Sequence, residues 1–228
     1  MEVRRRPHLT PTLSHHQRDG YASVFALDLP TLDCRTSLLS HRSASRTALM
    51  AMQLDQVVPF GRSLDEYRLM FSLSEEDLAK AIIGIADGPA SFNAEMHALG
   101  KHVVSVDPLY AFSGADIEQR FYAVVDDTIR QVTSTPDDGV WSYHHSADHL
   151  RDNRVQALRQ FVTDFETGRA EGRYATGALP QLDFTRDQFD LALCSHFLFL
   201  YSDHFPYAFH RAAIAEMLRV AAEVRIFP

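Results

Sequence analysis

Residues 82–108, IIGIADGPASFNAEMHALGKHVVSVDP, contain two short apolar runs separated by a turn and an amphipathic segment. The first run enters the turn Asp87-Gly88-Pro89, and the second run, VVSVD, ends on the acid Asp107. Between the runs, three apolar residues recur at helical spacing before Gly100, where a helix would end: Phe92, Met96 and Leu99. Two strands joined through so short a helix lie parallel in one sheet, with a right-handed crossover. This feature predicts an α/β fold.

The rest of the chain repeats the alternation of helices and strands. Two S-x-x-E/D capping patterns, at Ser63 and Ser74, predict two short helices before the first strand. Helical spacing also follows Ser113 and continues around residues 155–165, while FDLALCSH (189–196) and EVRIF (223–227) have the character of strands. The sequence therefore predicts a doubly wound, mostly parallel sheet that is flanked by helices and ends after its fifth strand.

Composition divides the chain near residue 50. Residues 1–49 carry seven arginines and four acidic residues in polar, aperiodic segments, so we expect a flexible N-terminal extension. The composition of this extension resembles that of an organelle transit peptide. In the alternative interpretation, the extension is a dispensable segment upstream of a start at Met50 or Met52. Residues 50–228 are predicted to form one domain. A helical insertion around 113–170 either caps a site or covers the sheet.

The overall charge restricts the class of partner. A formal charge of −8 disfavours general nucleic-acid binding, which depends on clustered lysine and arginine. No apolar run approaches the length of a membrane helix, so no membrane association is predicted. The two cysteines, Cys34 and Cys194, form no paired motif, which favours the reducing cytoplasm.

The turn and the acid after it predict a ligand site. Gly88 carries no side chain where a ligand would approach, and the helix after it directs N–H groups and a positive dipole end toward an anion. Asp107 follows 19 residues later, at the tip of the second strand, where a carboxylate can accept the hydroxyl groups of a ribose. In the alternative interpretation, these residues only form a turn and end a strand.

From about Phe60 to Pro228 the sequence resembles class I, Rossmann-like S-adenosylmethionine-dependent methyltransferases. The resemblance rests on IIGIADGPASF, VVSVDP, LPQLDFTRDQFDLALCSHFLF and EMLRVAAEVRIFP. It implies S-adenosylmethionine as cofactor and methyl transfer to an unidentified acceptor, with a small molecule favoured. Carried over to this chain, the cofactor-binding residues are Ala86, Asp87, Gly88, Asp107, Pro108, Ser195 and His196.

The sequence departs from that family at three positions of the turn. Gly84 stands where the family usually has an acid, and Ala86 and Ala90 replace the outer glycines. We expect the turn to stay open if both alanines keep negative φ. The family usually continues beyond a fifth strand, so an ending at Pro228 predicts either a truncated fragment or a sheet edge that a homodimer completes.

The catalytic group is not determined by the sequence. His196 is the candidate base, and Tyr201, Asp203 and His204 are candidate contacts to the acceptor. Cys194 and His196 would share one face of a strand, which is compatible with a nucleophile pair or with simple packing. The histidine spacing predicts no metal site. Two alternatives remain, a non-catalytic binding or scaffold protein and a nicotinamide-dependent oxidoreductase.

Overall fold

A computed structural model describes residues 59–134 and 142–227. All of them belong to one compact unit. The predicted extension (1–49) lies outside the described residues.

Five strands form one sheet in which every pairing is parallel. The spatial order is β3-β2-β1-β4-β5. The central strands β1 and β4 are almost entirely buried because helices cover both faces, and this explains their continuous apolar sequences. The prediction of a doubly wound parallel sheet is confirmed. The strands are β1 (Ile82–Ile85), β2 (Val103–Val106), β3 (Tyr174–Ala175), β4 (Phe189–Ser195) and β5 (Ala221–Phe227).

Within residues 59–134 and 142–227, five α-helices connect and flank these strands: α1 (Leu64–Phe71), α2 (Phe92–Ala98), α3 (Gly114–Ser134), α4 (Ala147–Ala170) and α5 (Tyr207–Val220). In the same described parts, three 3-10 helices accompany them: Asp77–Ala79, Pro108–Ala111 and Ser202–His204. No helix in the described parts of the chain is long and apolar enough to cross a membrane.

The two predicted helices before β1 have different outcomes. Ser63 and Glu66 form both halves of a capping box at the start of α1, as predicted. Ser74 and Asp77 make the same reciprocal contacts, but they begin only the 3-10 turn Asp77–Ala79. The second predicted short helix is thus a 3-10 helix of three residues, because Lys80 is already extended and leads directly into β1.

Helix α2 ends earlier than its apolar spacing predicts. Phe92 and Met96 are fully buried, whereas the Leu99 side chain is 56% exposed. The last helical residue is Ala98, and Gly100 then adopts a φ of 69°, which turns the chain toward β2. Leu99 is therefore not a core residue, because the helix ends before the third position of the stripe.

Helices α3 and α4 lie between β2 and β3 and pack against each other. The C-terminal half of α4 covers the edge of the sheet, where Asp164 pairs with Arg173 and Phe165 packs on Tyr174 of β3. In its N-terminal half, Arg154 donates to the carbonyl of Gly61. The contacts with Arg173 and Tyr174 show that part of the predicted insertion covers the sheet, while a role as a cap over a site stays a prediction.

Candidate functional site

The strand order brings the three predicted groups of site residues together. Strand β1 lies between β2 and β4, so residues 86–90, 107–110 and 194–196 follow three adjacent parallel strands. The direction of the chain across the sheet reverses between β1 and β4. In open α/β sheets, ligands bind beyond the carboxyl ends of the strands at such a reversal.

Ala86 adopts a left-handed backbone conformation with a φ of 58°. Negative φ at both alanines was the condition set for an open turn, and Ala90 meets it while Ala86 does not. The cause is local: the Ala86 N–H still pairs with the carbonyl oxygen of Val106 at 2.8 Å, and the chain must turn immediately afterwards. An alanine here carries backbone strain that a glycine would avoid.

The Asp87 side chain points into the protein. Its Oδ1 accepts a hydrogen bond from the hydroxyl of Tyr67 at 2.6 Å, and its Oδ2 accepts one from the hydroxyl of Ser105 at 2.6 Å. A Cβ atom built on Gly84 would lie only 1.9 Å from Asp87 Oδ2. The carboxylate therefore fills the space beside Gly84 and ties the turn to α1 and β2. The Asp87 side chain is therefore structural, and the Asp87 backbone borders the site.

The space beside the Gly88 Cα is open, and the buried Asp107 carboxylate lies next to Gly88. The Gly88 N–H donates to Asp107 Oδ2 at 2.9 Å, and the Gly88 carbonyl accepts from the Tyr110 hydroxyl at 2.7 Å. Gly88 has a φ of 56°, and no described atom beyond its chain neighbours lies within 4 Å of a Cβ built there. These two hydrogen bonds fix the backbone of the turn, while the space beside the Gly88 Cα stays open. A side chain on Gly88 would be strained by φ, whatever the space.

Both oxygens of Asp107 already accept backbone hydrogen bonds. Leu109 N–H donates to Oδ1 at 2.8 Å, opposite the bond from Gly88 to Oδ2, and Pro108 begins the 3-10 turn that aims this donor. Each carboxylate oxygen has a second lone pair, so Asp107 retains capacity for ligand hydroxyl groups. Burial raises the pKa of Asp107 to about 6, although the N–H groups of Leu109 and Gly88 oppose the rise. The same effect of burial raises the pKa of Asp87 to about 6, against the hydroxyls of Ser105 and Tyr67.

His196 lies just beyond β4 in a left-handed conformation, with a φ of 51°. Its N–H donates to the carbonyl of Phe227, and its Nδ1 lies 2.9 Å from Ser195 Oγ. Burial, together with the positive charges of Arg62 and Arg154, lowers the pKa of His196 to about 3. The imidazole is therefore neutral near pH 7 and is a weak proton acceptor.

Cys194 is fully buried in β4, and burial raises the pKa of its thiol to about 12. A thiolate at this position is not accessible near neutral pH, so the structure favours packing over a nucleophile pair. Of the candidate acceptor contacts, Tyr201 is 4% exposed, while Asp203 and His204 lie exposed on a 3-10 turn. Within residues 59–134 and 142–227, no group of three His, Cys, Asp or Glu side chains is arranged to hold a metal ion.

The sequence analysis missed a polar and charged group beside the turn, in which Glu66 and Arg154 are buried while Arg62 and His144 are partly exposed. It consists of Arg62, Glu66, His144 and Arg154. Arg154 is 1% exposed and binds both carboxylate oxygens of Glu66 through its two η nitrogens. The signal was present: Arg154 occupies the apolar stripe of α4, four residues before Leu158, where a charged residue needs a buried partner.

Comparison with known proteins identifies a relative that is itself uncharacterized. The uncharacterized protein MJ0045 of Methanocaldococcus jannaschii is 32% identical over 178 residues, which cover 78% of this chain and 80% of that protein. No protein-family model and no solved structure matches the chain. The similarity extends over most of both proteins and is not confined to the turn.

Proposed function

The chain belongs to the same family as protein MJ0045 of Methanocaldococcus jannaschii, and we propose that it is an S-adenosylmethionine-dependent methyltransferase. The observation that carries this proposal is the open space above Gly88, next to Asp107, at the point where the strand order reverses. A small ligand with a ribose fits this arrangement, because the carboxylate retains lone pairs for hydroxyl groups. The single glycine in the turn favours this cofactor over a dinucleotide, whose pyrophosphate normally needs a wider glycine turn.

Each residue has a limited task in this mechanism. When bound, S-adenosylmethionine supplies an electrophilic methyl group on a sulfonium, and transfer is an in-line displacement by the acceptor. Asp107 would hold ribose hydroxyls, Gly88 would leave room for the ligand, and Ser195 would fix the imidazole of His196 through Nδ1. With a pKa of about 3, His196 would orient the acceptor by a hydrogen bond at Nε2 more readily than it would remove a proton. The rate would come mainly from positioning.

The acceptor in this proposal is a small molecule. The protein has a formal charge of −8, which opposes association with a polyanion. The aromatic segment after β4 includes the exposed Phe199 and Leu200 and the buried Phe197 and Tyr201, and it would form an apolar wall on the acceptor side.

A non-catalytic binding protein is the second candidate. Two observations favour it: Ala86 is strained where the methyltransferase family has glycine, and His196 is a weak base. Such a protein would bind S-adenosylmethionine without turnover of any acceptor.

Calorimetric titration with S-adenosylmethionine, S-adenosylhomocysteine and NAD tests the proposal. We expect micromolar binding of the first two ligands and none of NAD. Asp107→Ala should weaken S-adenosylhomocysteine binding at least tenfold, because two ribose hydrogen bonds to a charged group are lost. Asp183→Ala, on an exposed residue, is the matched control and should bind as wild type does. Equal affinity in wild type and Asp107→Ala would remove Asp107 from the site.

A further inference from the structure

Glu66 is fully committed to Arg154. Its Oε2 accepts hydrogen bonds from Arg154 Nη1 at 2.7 Å and from the Ser63 N–H at 3.0 Å, and its Oε1 is bound by Arg154 Nη2. His144 Nε2 lies 3.4 Å from the same Oε1. Glu66 therefore neutralises Arg154 and has little remaining capacity for a second arginine.

Arg62 lacks an equivalent partner in the described parts of the chain. Its Nη1 donates to the carbonyl of Phe60 at 2.8 Å, but its Nε is 3.8 Å from Glu66 Oε1, beyond hydrogen-bond distance. The Arg62 side chain is 17% exposed, and within the described parts of the chain only Arg68 Nε and Arg154 Nε are fully buried nitrogens without a partner. A guanidinium has five N–H donors, and most of those on Arg62 are available to a ligand.

Arg62 lies between the turn after β1 and the segment after β4. Gly61 packs so tightly on the turn that a Cβ built on it would lie 2.0 Å from the carbonyl oxygen of Pro89. On the other side, the charge of Arg62 contributes to the low pKa of His196 and interacts with the phenol of Tyr201. Both His196 and Tyr201 follow β4, which is the acceptor side of the proposed site.

The charge balance of the group also favours an anion. Arg62 and Arg154 carry two positive charges against the single negative charge of Glu66, in a protein whose formal charge is −8. Burial and the charge of Arg154 together lower the pKa of Arg62 to about 9, because the charge of Glu66, shared with Arg154, only partly opposes the fall. A bound anion would supply the missing charge.

We infer that Arg62 binds a carboxylate of the methyl acceptor, so that the acceptor is a small organic acid. This inference rests on the proposed function, because it assigns the side of β4 to the acceptor. The planar guanidinium matches a carboxylate in a bidentate arrangement, which fixes orientation as well as position. Arg62 would then place the acceptor beside His196.

The test uses the full-length protein saturated with S-adenosylhomocysteine. Acetate and benzoate, each paired with its neutral amide, are titrated while the Arg side-chain Nε–Hε signals are followed by NMR. We expect the carboxylates, but not the amides, to shift the Arg62 signal. Arg62→Met should weaken benzoate binding at least tenfold, Arg62→Lys should retain part of it, and Arg159→Met on the exposed face of α4 should leave it unchanged.

Two further measurements separate binding from a structural role. Without ligand, Arg62→Met should melt at the wild-type temperature or above it, because it removes a cation without a close partner; a structural arginine would give a lower melting temperature. The affinity for S-adenosylhomocysteine should stay within threefold of wild type. A tenfold loss of that affinity, with benzoate binding intact, would place the carboxylate of the cofactor on Arg62 and overturn the inference.

Failure of the inference differs from failure of the proposed function. If carboxylates do not bind, bind as their amides do, or bind equally to Arg62→Met, the inference is wrong even when S-adenosylhomocysteine binds. If the protein binds carboxylates through Arg62 but binds no S-adenosylhomocysteine, the anion site stands while its assignment to a methyl acceptor is wrong.

Discussion

Asp87→Asn should change the pH dependence of stability in a direction that can be derived from the site. Burial raises the pKa of Asp87 from an ordinary value of 3.8 to about 6. The folded protein therefore keeps this proton at pH values where the unfolded chain has lost it. The contribution of Asp87 to stability falls as pH rises from 3.8 to 6 and is constant above 6. The difference between the two pKa values corresponds to about 3 kcal/mol of destabilisation at pH 7.

Asparagine removes the charge and keeps the shape. Its amide oxygen can still accept from the Tyr67 hydroxyl, but the Ser105 hydroxyl loses its acceptor, which costs about 1 kcal/mol. Ser105 Oγ already accepts from Asn93 Nδ2 at 3.1 Å, so the new amide has to share this oxygen. We expect Asp87→Asn to be about 2 kcal/mol more stable than wild type at pH 7, and about 0.5 kcal/mol less stable near pH 4, where the unfolded chain is already about half ionised.

Urea denaturation followed by circular dichroism, at half-unit steps from pH 4 to 7.5, measures this difference. Other titrating groups are common to both proteins and largely cancel when the variant is compared with wild type at each pH. Ser105→Ala is the control: it removes one donor to the carboxylate and should lower stability at pH 7 by about 1–3 kcal/mol. Parallel stability curves for wild type and Asp87→Asn would refute a buried carboxyl group with a raised pKa.

Three other predictions follow from the turn and the charged group. In urea denaturation, Ala86→Gly should be as stable as wild type or up to about 1 kcal/mol more stable, because it removes the strain of a left-handed alanine. The control Ala90→Gly should lose about 1 kcal/mol of stability. Equal losses of stability in the two variants would contradict the positive φ of Ala86. Arg154→Met should lose about 3–5 kcal/mol in the same assay, since it leaves Glu66 buried without its partner, and Glu66→Gln in the same chain should restore much of the loss. The affinity for S-adenosylhomocysteine, measured by calorimetry, should fall up to tenfold per pH unit below about pH 6, because Asp107 becomes protonated. An affinity that does not change with pH would mean that the charge of Asp107 does not contribute to binding.

The sequence predicted those parts of the molecule that depend on local pattern. The buried strands β1 and β4 are continuous apolar runs, and Ser63 with Glu66 starts α1 through contacts only three residues apart. The positions of Gly88 and Asp107 at adjacent strand ends follow from the parallel crossover.

The remaining features depend on contacts between distant residues. The pairing of Glu66 with Arg154 joins positions 88 residues apart, and no local pattern identifies the partner. The left-handed Ala86 results from a turn that must follow strand pairing at once, while the spacing rules assume ordinary backbone for alanine. The early end of α2, which exposes Leu99, depends on where Gly100 reverses the chain.

The overlap between Gly84 and the carboxylate of Asp87 is a constraint on how this family can evolve. Because a side chain at position 84 would overlap the Asp87 carboxylate, an acid at position 84 would have to displace that carboxylate from the hydroxyls of Tyr67 and Ser105. Relatives should therefore divide into two groups, with either glycine at 84 and an acid at 87 or the reverse arrangement. Chains that mix the two patterns are expected to fold poorly.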